Sequence, residues 1–193
     1  MKSLGIRNIT PSPDETAAQV SADFASGPRL QAEYLLGLGS QRLGYVHPAD
    51  PGLAEFIKAR LQLVNEVCVE AGVPRPIVRE VQYQDGSGHA ATAAWKQAGV
   101  TAVIAYNDET AADVIAGAVR TGIRVPEDLS VVGHDNSPLA ARFMPSLSSV
   151  AVDMERLRLY MAGIALHLAE GHPLPEPPSG ATSLVRRESA VPL

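Results

Sequence analysis

The sequence predicts an α/β fold, a parallel sheet with helices packed on both of its faces. Two observations carry this. Short apolar runs suited to buried strands alternate with longer stretches of helical periodicity along most of the 193 residues. Residues 101–135, TAVIAYNDETAADVIAGAVRTGIRVPEDLSVVGHD, hold a complete strand-helix-strand unit. Each of its two apolar runs ends in a polar cluster, Asn107-Asp108-Glu109 and then Gly133-His134-Asp135. In open α/β sheets the carboxyl edge of the strands is where ligands bind, so both clusters fall on one candidate rim.

The elements follow in order. Residues 1–20 show no clear period, and Pro11 and Pro13 make a loop. Val20 to Phe24 is a short strand candidate. Ser26-Gly27-Pro28 opens a helix carrying Leu30, Tyr34, Leu35 and Leu38, and Gly39 closes it. Leu43 to His47 reads as a strand. Leu53 to Ala71 is a long amphipathic helix with Phe56, Ile57, Leu61, Val64 and Cys68 inward, ended by Gly72 and Pro74. Ile77 to Gln82 is a strand, and Ser87 caps a helix bearing Ala91, Ala94, Trp95 and Ala98. Asn107 is a plausible N-cap, with Asp108 and Glu109 in the first turn, where the helix dipole favours negative charge. Ala111, Val114, Ile115, Ala118 and Val119 form its apolar stripe, and Gly122 is its stop. Pro126 excludes continued helix, so Leu129, Val131 and Val132 begin the next strand. An irregular stretch follows, then a helix from Met154 to Glu170. The segment HPLPEPPSG at 172–180 holds four prolines and reads as a loop, and Thr182 to Arg187 is a last strand.

Composition removes several function classes. The formal net charge is −5, with Lys and Arg scattered, so this chain by itself has no basic face for nucleic acid. No run of about 18 apolar residues exists to span a membrane. MKSLGIRNITPSPDET lacks an apolar signal core, so a cytoplasmic location is expected. The single cysteine, Cys68, lies on an apolar helix face and reads as a buried reduced thiol. His47, His89, His134, His167 and His172 have no metal-ligand spacing to carboxylates or Cys68, so no metal or cofactor is expected. Gly86-Ser87-Gly88 matches neither a nucleophile elbow nor a phosphate loop. His134 and Asp135 are neighbours that strand alternation sends to opposite faces, which argues against an acid/base dyad. The expectation is therefore a binding module, not an enzyme.

Four polar residues are candidates for the carboxyl rim: Arg60, His89, Asn107 and Asp135. A donor fork, an amide and a carboxylate suit the vicinal hydroxyls of a small polar ligand. Each also has a plainer reading. Asn107 serves equally as a helix cap, Asp135 as a turn residue before Asn136 and Pro138, Arg60 as a snorkelling side chain, and His89 as a surface residue.

The run AYNDETAADVIAGAVRTGIRVPEDLSVVGHDNSPLAARFMPSLSSVAVD resembles the effector-binding region of LacI/GalR-family transcription regulators. That family's pattern has a strand ending in Asn-Asp, a helix, a Gly-x-x-hydrophobic-Pro-Glu-Asp link, a Val-Val-Gly strand and an Asp. VSADFASGPRLQAEYLLGLGSQRLGYV, ARLQLVNEVCVEAG and SLVRRESA are similar to further family segments, extending the resemblance over about residues 18 to 190. Three departures stand out: Ser40 replaces a usual His, Leu63-Val64 a Gly-Phe pair, and Val152 an often polar position.

The resemblance implies a type I periplasmic-binding-protein-like fold of two lobes. On that reading residues 1–22 are a first-lobe remnant, 23–152 the second lobe, 153–181 a first-lobe helix and linker, and 182–193 the second lobe's closing strand and tail. It implies that Arg60, Asn107 and Asp135 contact a small effector, a sugar, with His89 in the place of a stacking aromatic. It also implies a homodimer through Ala112, Ile115, Leu139 and Phe143, and operator DNA bound only through a headpiece absent from this chain. A solute-binding protein of a sugar transport system is the alternative of the same fold.

Overall fold

The computed structural model describes residues 26–82, 86–176, 178 and 180–193. The readings over residues 1–20, 1–22 and Val20–Phe24 lie outside them. The chain divides into two compact units, Gly27–Ala151 with Ser183–Leu193, and Val152–Thr182 with Ser26.

The elements run α1 (Ser26–Gly37), β1 (Leu43–Pro48), α2 (Ala54–Glu70), β2 (Ile77–Val81), α3 (Ser87–Gln97), β3 (Ala102–Ala105), α4 (Asp108–Arg120), β4 (Ser130–His134), β5 (Ser148–Val152), α5 (Met154–Glu170) and β6 (Thr182–Val185). Single 3-10 turns at Pro51–Leu53 and Ala140–Arg142 complete them. The six strands form one sheet in the order β2-β1-β3-β4-β5-β6. The ladders from β2 through β5 are parallel, in register at Tyr45↔Val78, Tyr45↔Ile104, Ile104↔Val132 and Val132↔Ser148.

Period-2 alternation sorts the core into two layers. Tyr45, Ala102, Ile104 and Val132 face α1 and α2, packing on Ala32, Leu35, Val64, Val67 and Cys68. Val46, Val103, Ala105 and Val131 face α3 and α4, packing on Ala91, Trp95, Ala111, Val114, Ile115 and Ala118. The expected sheet with helices on both faces is what forms.

Several boundaries differ from the expectation. The stretch after β4, read as irregular, contains β5. Its Ser148-Ser149 start hides the apolar signal, yet both serines are fully buried because other groups take up their hydroxyls. The closing strand ends at Val185 rather than Arg187. Beyond it Arg187 N donates to Ser148 Oγ, and Glu188 N and Ser189 N donate to Ser146 O. The chain therefore runs back along β5, so the last strand opposes its neighbour. Gly86, in the left-handed region at φ 82°, is the N-cap of α3, and Ser87 is its first residue. Phe56, expected inward, is exposed, because the buried face of α2 is centred on Val64, Val67 and Cys68. Val119 likewise points outward from α4.

In the smaller unit, Asp153 caps α5 by accepting from Arg156 N. The helix ends at Gly171, at φ 72°. Tyr160 and Ile164 are its buried side chains. Among the described residues no helix is long and apolar enough to cross a membrane.

Helices α3 and α4 cross backbone against backbone. A Cβ at Gly117 would collide with the Gly88 carbonyl, and one at Gly88 with the Asp113 carbonyl. Gly-to-Ala inside a helix ordinarily stabilises it by about 1 kcal/mol. Gly117→Ala is expected to do the reverse, lowering stability by roughly 1–3 kcal/mol through overpacking against backbone that has no rotamer to change. Urea denaturation of the two proteins, compared at equal m-value, measures the sign.

Candidate functional site at the carboxyl rim

The sheet order reverses direction between β1 and β3. Chain connections go outward to β2 on one side and to β4 and β5 on the other. Helices leaving neighbouring strands on opposite sides open a crevice at their carboxyl ends, where ligands of such sheets bind. Asp50 follows β1 here, Tyr106 and Asn107 follow β3, and Asp135 follows β4.

Arg60 reaches this rim from α2. Its Nη1 donates to the Tyr106 carbonyl at 2.6 Å, and its guanidinium carbon lies 4.2 Å from the Tyr106 ring centroid. The arginine does not snorkel outward. It is held by a hydrogen bond and a cation–π contact at the end of β3. Burial pushes the Tyr106 phenol upward, Arg60 opposes this, and the negative charges of Asp135 and Asp50 add to it. Arg60, Asp135 and Asp50 thus all act on the Tyr106 ring, and Arg60 acts on Asp135 as well.

Asp135 is the unusual member. Its backbone has φ 94°, which L side chains rarely adopt, and its N–H donates to Val150 O at 2.8 Å. The positive φ breaks the strand alternation that separates His134 from Asp135 in the sequence reading. The two side chains instead meet, His134 Nδ1 to Asp135 Oδ1 at 2.7 Å. The Asp135 side chain remains 53% exposed. Burial works to raise its carboxyl, but the His134 hydrogen bond and the charge of Arg60 oppose that, and it lies below the usual aspartate range.

Asn107 is the N-cap of α4. Its Oδ1 accepts from Thr110 N at 2.9 Å, and Thr110 Oγ1 accepts from Asn107 N at 3.1 Å, a closed capping box. The cap reading of Asn107 therefore holds, and its carbonyl oxygen is committed. His89 stands apart. It is exposed on the first turn of α3, its backbone lies against Gly117 of α4, and no described side-chain contact joins it to Arg60, Asn107 or Asp135.

The residues that build the rim were not singled out from sequence. Asp108, read only as a first-turn acid, is buried. Its Oδ2 accepts from Ser137 N and its Oδ1 from Ser149 Oγ, each at 2.6 Å. A Cβ at Gly133 would strike Asp108 Oδ1, so the strand must be bare there. From the other face, buried Gln31 donates through Nε2 to the carbonyls of Ala105, Val132 and Gly133. Arg187 donates to Leu147 O at 2.6 Å and to Asn136 Oδ1 at 2.7 Å, fixing the turn after Asp135. The only available sequence signal was indirect: polar residues set in apolar runs, which need partners.

A groove of about 870 Å³ runs from the carboxyl end of β1 along α2, lined by His47, Asp50, Ile57, Leu61, Arg75 and Glu80. It shares Asp50 with the rim but excludes Arg60, Tyr106, Asn107 and Asp135. Of the residues expected at a dimer interface, Leu139 is 55% exposed, Ala112 and Phe143 are half-buried, and Phe143 packs on the α3/α4 core layer. Ile115 is 7% exposed and belongs to that core. Tight α3–α4 packing has already used its surface. Met144, which follows Phe143 and is expected in the same patch, is 88% exposed.

Removing the Asp108 carboxylate leaves a backbone N–H and a hydroxyl unpaired in a buried place. Asp108→Ala is expected to cost about 3 kcal/mol and to speed hydrogen exchange at the Ser137 amide well beyond its effect at Val103. Equal acceleration at both amides would show that the carboxylate does not hold the loop.

Comparison with known proteins places these features. A family model described as a periplasmic binding protein-like domain matches residues 32–190. The lactose operon repressor of Escherichia coli strain K12 is 27% identical over 169 residues, covering 86% of this chain and 46% of that protein. Among solved structures, a LacI family transcriptional regulator from Enterococcus faecium with bound ribose is 26% identical with TM-score 0.73, covering 89% of this chain and 64% of that one. The lac repressor dimer bound to operator and the anti-inducer ONPF is 25% identical with TM-score 0.74, covering 86% and 58%. The chain thus spans about half the length of the curated relatives it matches.

Proposed function

Since the chain belongs to the periplasmic binding protein-like domain family, in its LacI/GalR transcription-regulator branch, we propose that its larger unit senses a small neutral sugar for a DNA-binding regulator. The observation that carries this is the presence at the β1/β3 reversal, within electrostatic reach of each other, of a half-exposed ionised carboxylate on Asp135 and the fixed guanidinium of Arg60. A carboxylate oxygen accepting from hydroxyl donors and a guanidinium donating to a ring or hydroxyl oxygen recognise vicinal hydroxyls. Analogues lacking the hydroxyls leave both groups unpaired and are rejected.

In this reading Asn107 joins from the helix cap. His89 receives no support from its position. The larger unit corresponds to the second lobe of such a domain, and the smaller one carries part of the first. A solved relative is a dimer on operator DNA. By analogy this chain pairs with a second copy through Leu139, Phe143 and Ala112, with exposed Met144 alongside, and regulates DNA through a segment outside the 193 residues. Effector binding acts as a population shift between two states of differing operator affinity.

A thermal-shift series with ribose, galactose, lactose and cellobiose tests the reading. At least one sugar is expected to raise the melting temperature, as any ligand selective for the native state does. Asp135→Ala is expected to weaken that sugar's binding by about 2–4 kcal/mol in calorimetric titration, counting the lost charged acceptor and the pocket groups left unpaired. A folded Asp135→Ala protein with an unchanged dissociation constant contradicts the assignment.

A further inference from the structure

His134 has no role in the rim as described so far, yet its surroundings are specific. It is 1% exposed and lies on the sheet face of Val132, two residues earlier in β4. Its Nδ1 is 2.7 Å from Asp135 Oδ1. Its Nε2 is buried without a hydrogen-bond partner among the described residues. That edge of the ring lies against Gly27 in the first turn of α1, where a Cβ would collide with Nε2 itself.

These facts fix the proton. A hydrogen on Nε2 would be buried with nothing to accept it, a costly arrangement. A hydrogen on Nδ1 has a carboxylate oxygen in line. The backbone supports the same pairing. Asp135 keeps a φ of 94°, where glycine would be free of strain, and retained strain in a non-glycine residue points to a use for its side chain. The strained turn is what brings the carboxylate back to the imidazole.

We propose that His134 is a positioning residue of the rim: carrying its proton on Nδ1, it holds the Asp135 carboxylate in one orientation and leaves the second oxygen to accept from a bound molecule. An acceptor fixed in advance loses little side-chain freedom on binding, which favours affinity. Its value for effector binding rests on the sensing role proposed above. The charged and titratable groups that share this environment are Arg60 from α2 and Tyr106 from the end of β3, with Asp50 acting on Tyr106. From α1, the neutral amide of Gln31 holds the carbonyls of Val132 and Gly133.

The test uses the 193-residue chain labelled with ¹⁵N and ¹³C. Two-bond ¹H–¹⁵N correlations read the tautomer of His134, and the ¹³Cγ shift of Asp135 follows its titration. The wild type is expected to show the Nδ1–H tautomer and an Asp135 midpoint below that of an ordinary aspartate. His134→Phe removes the donor and is expected to move the midpoint upward. His134→Asn restores an N–H near the same place and is expected to keep it low. Gly27→Ala, which pushes on the ring, is expected to disturb the His134 signals more than those of Val103. An Nε2–H tautomer in the wild type, or a midpoint unmoved by His134→Phe, overturns the proposal, and the tautomer is read without any substitution that might unfold the chain. None of these signals needs a sugar. A positive result in a chain that no sugar stabilises therefore removes the sensing role while leaving the His134–Asp135 pair.

Discussion

The buried carboxylate of Asp108 is the constraint on which the rim depends. It follows the N-cap of α4, and its two oxygens reach the loop after β4 and the start of β5. One side chain thereby joins three consecutive segments of the sheet at their functional edge. The positive end of the α4 dipole favours a carboxylate there. The short, bare Gly133 gives it room. Gln31 performs the matching task from the opposite face, taking up the carbonyls of Ala105 in β3 and of Val132 and Gly133 in β4. A rim clasped from both faces keeps Asn107 and Asp135 at fixed places.

The electrostatics follow from that frame. Arg60 is spent partly on Tyr106, and two carboxylates, Asp50 and Asp135, act on that same ring. The local balance is mildly negative, which suits neutral hydroxylated molecules better than phosphorylated ones. The ring of Tyr106, covered by the guanidinium, keeps the arginine flat against the rim. Rotamer freedom is already lost before any molecule arrives, so binding has less of it to remove.

Much of this was legible in the chain. The β-α alternation and the 101–135 unit specified the sheet, its helical layers and the two strand ends that bear Asn107 and Asp135. The capping role of Asn107 was one of two readings weighed, and the closed box with Thr110 realises it. The hidden parts have physical causes. β5 opens on two serines whose burial depends on Asp108, Arg187 and Ser189, residues far away in sequence. Asp108 looks like any first-turn acid until its long-range donors are known. The His134–Asp135 contact contradicts strand alternation because Asp135 leaves the extended region, and a non-glycine residue gives no local sign that it will do so. Ile115 fits both a core stripe and an interface, and only the tightness of the α3–α4 crossing decides for the core.

The central claim is that the recognition surface is the rim at the β1/β3 reversal and not the groove along α2. Amide chemical-shift mapping of the chain during titration with ribose tests it most directly. Shift changes concentrated at Arg60, Tyr106, Asn107, Asp135 and Asn136, saturating together, are the predicted result. Changes centred on Ile57, Leu61, Val69 and Glu80 with a silent rim, or no saturating change at all, would contradict it.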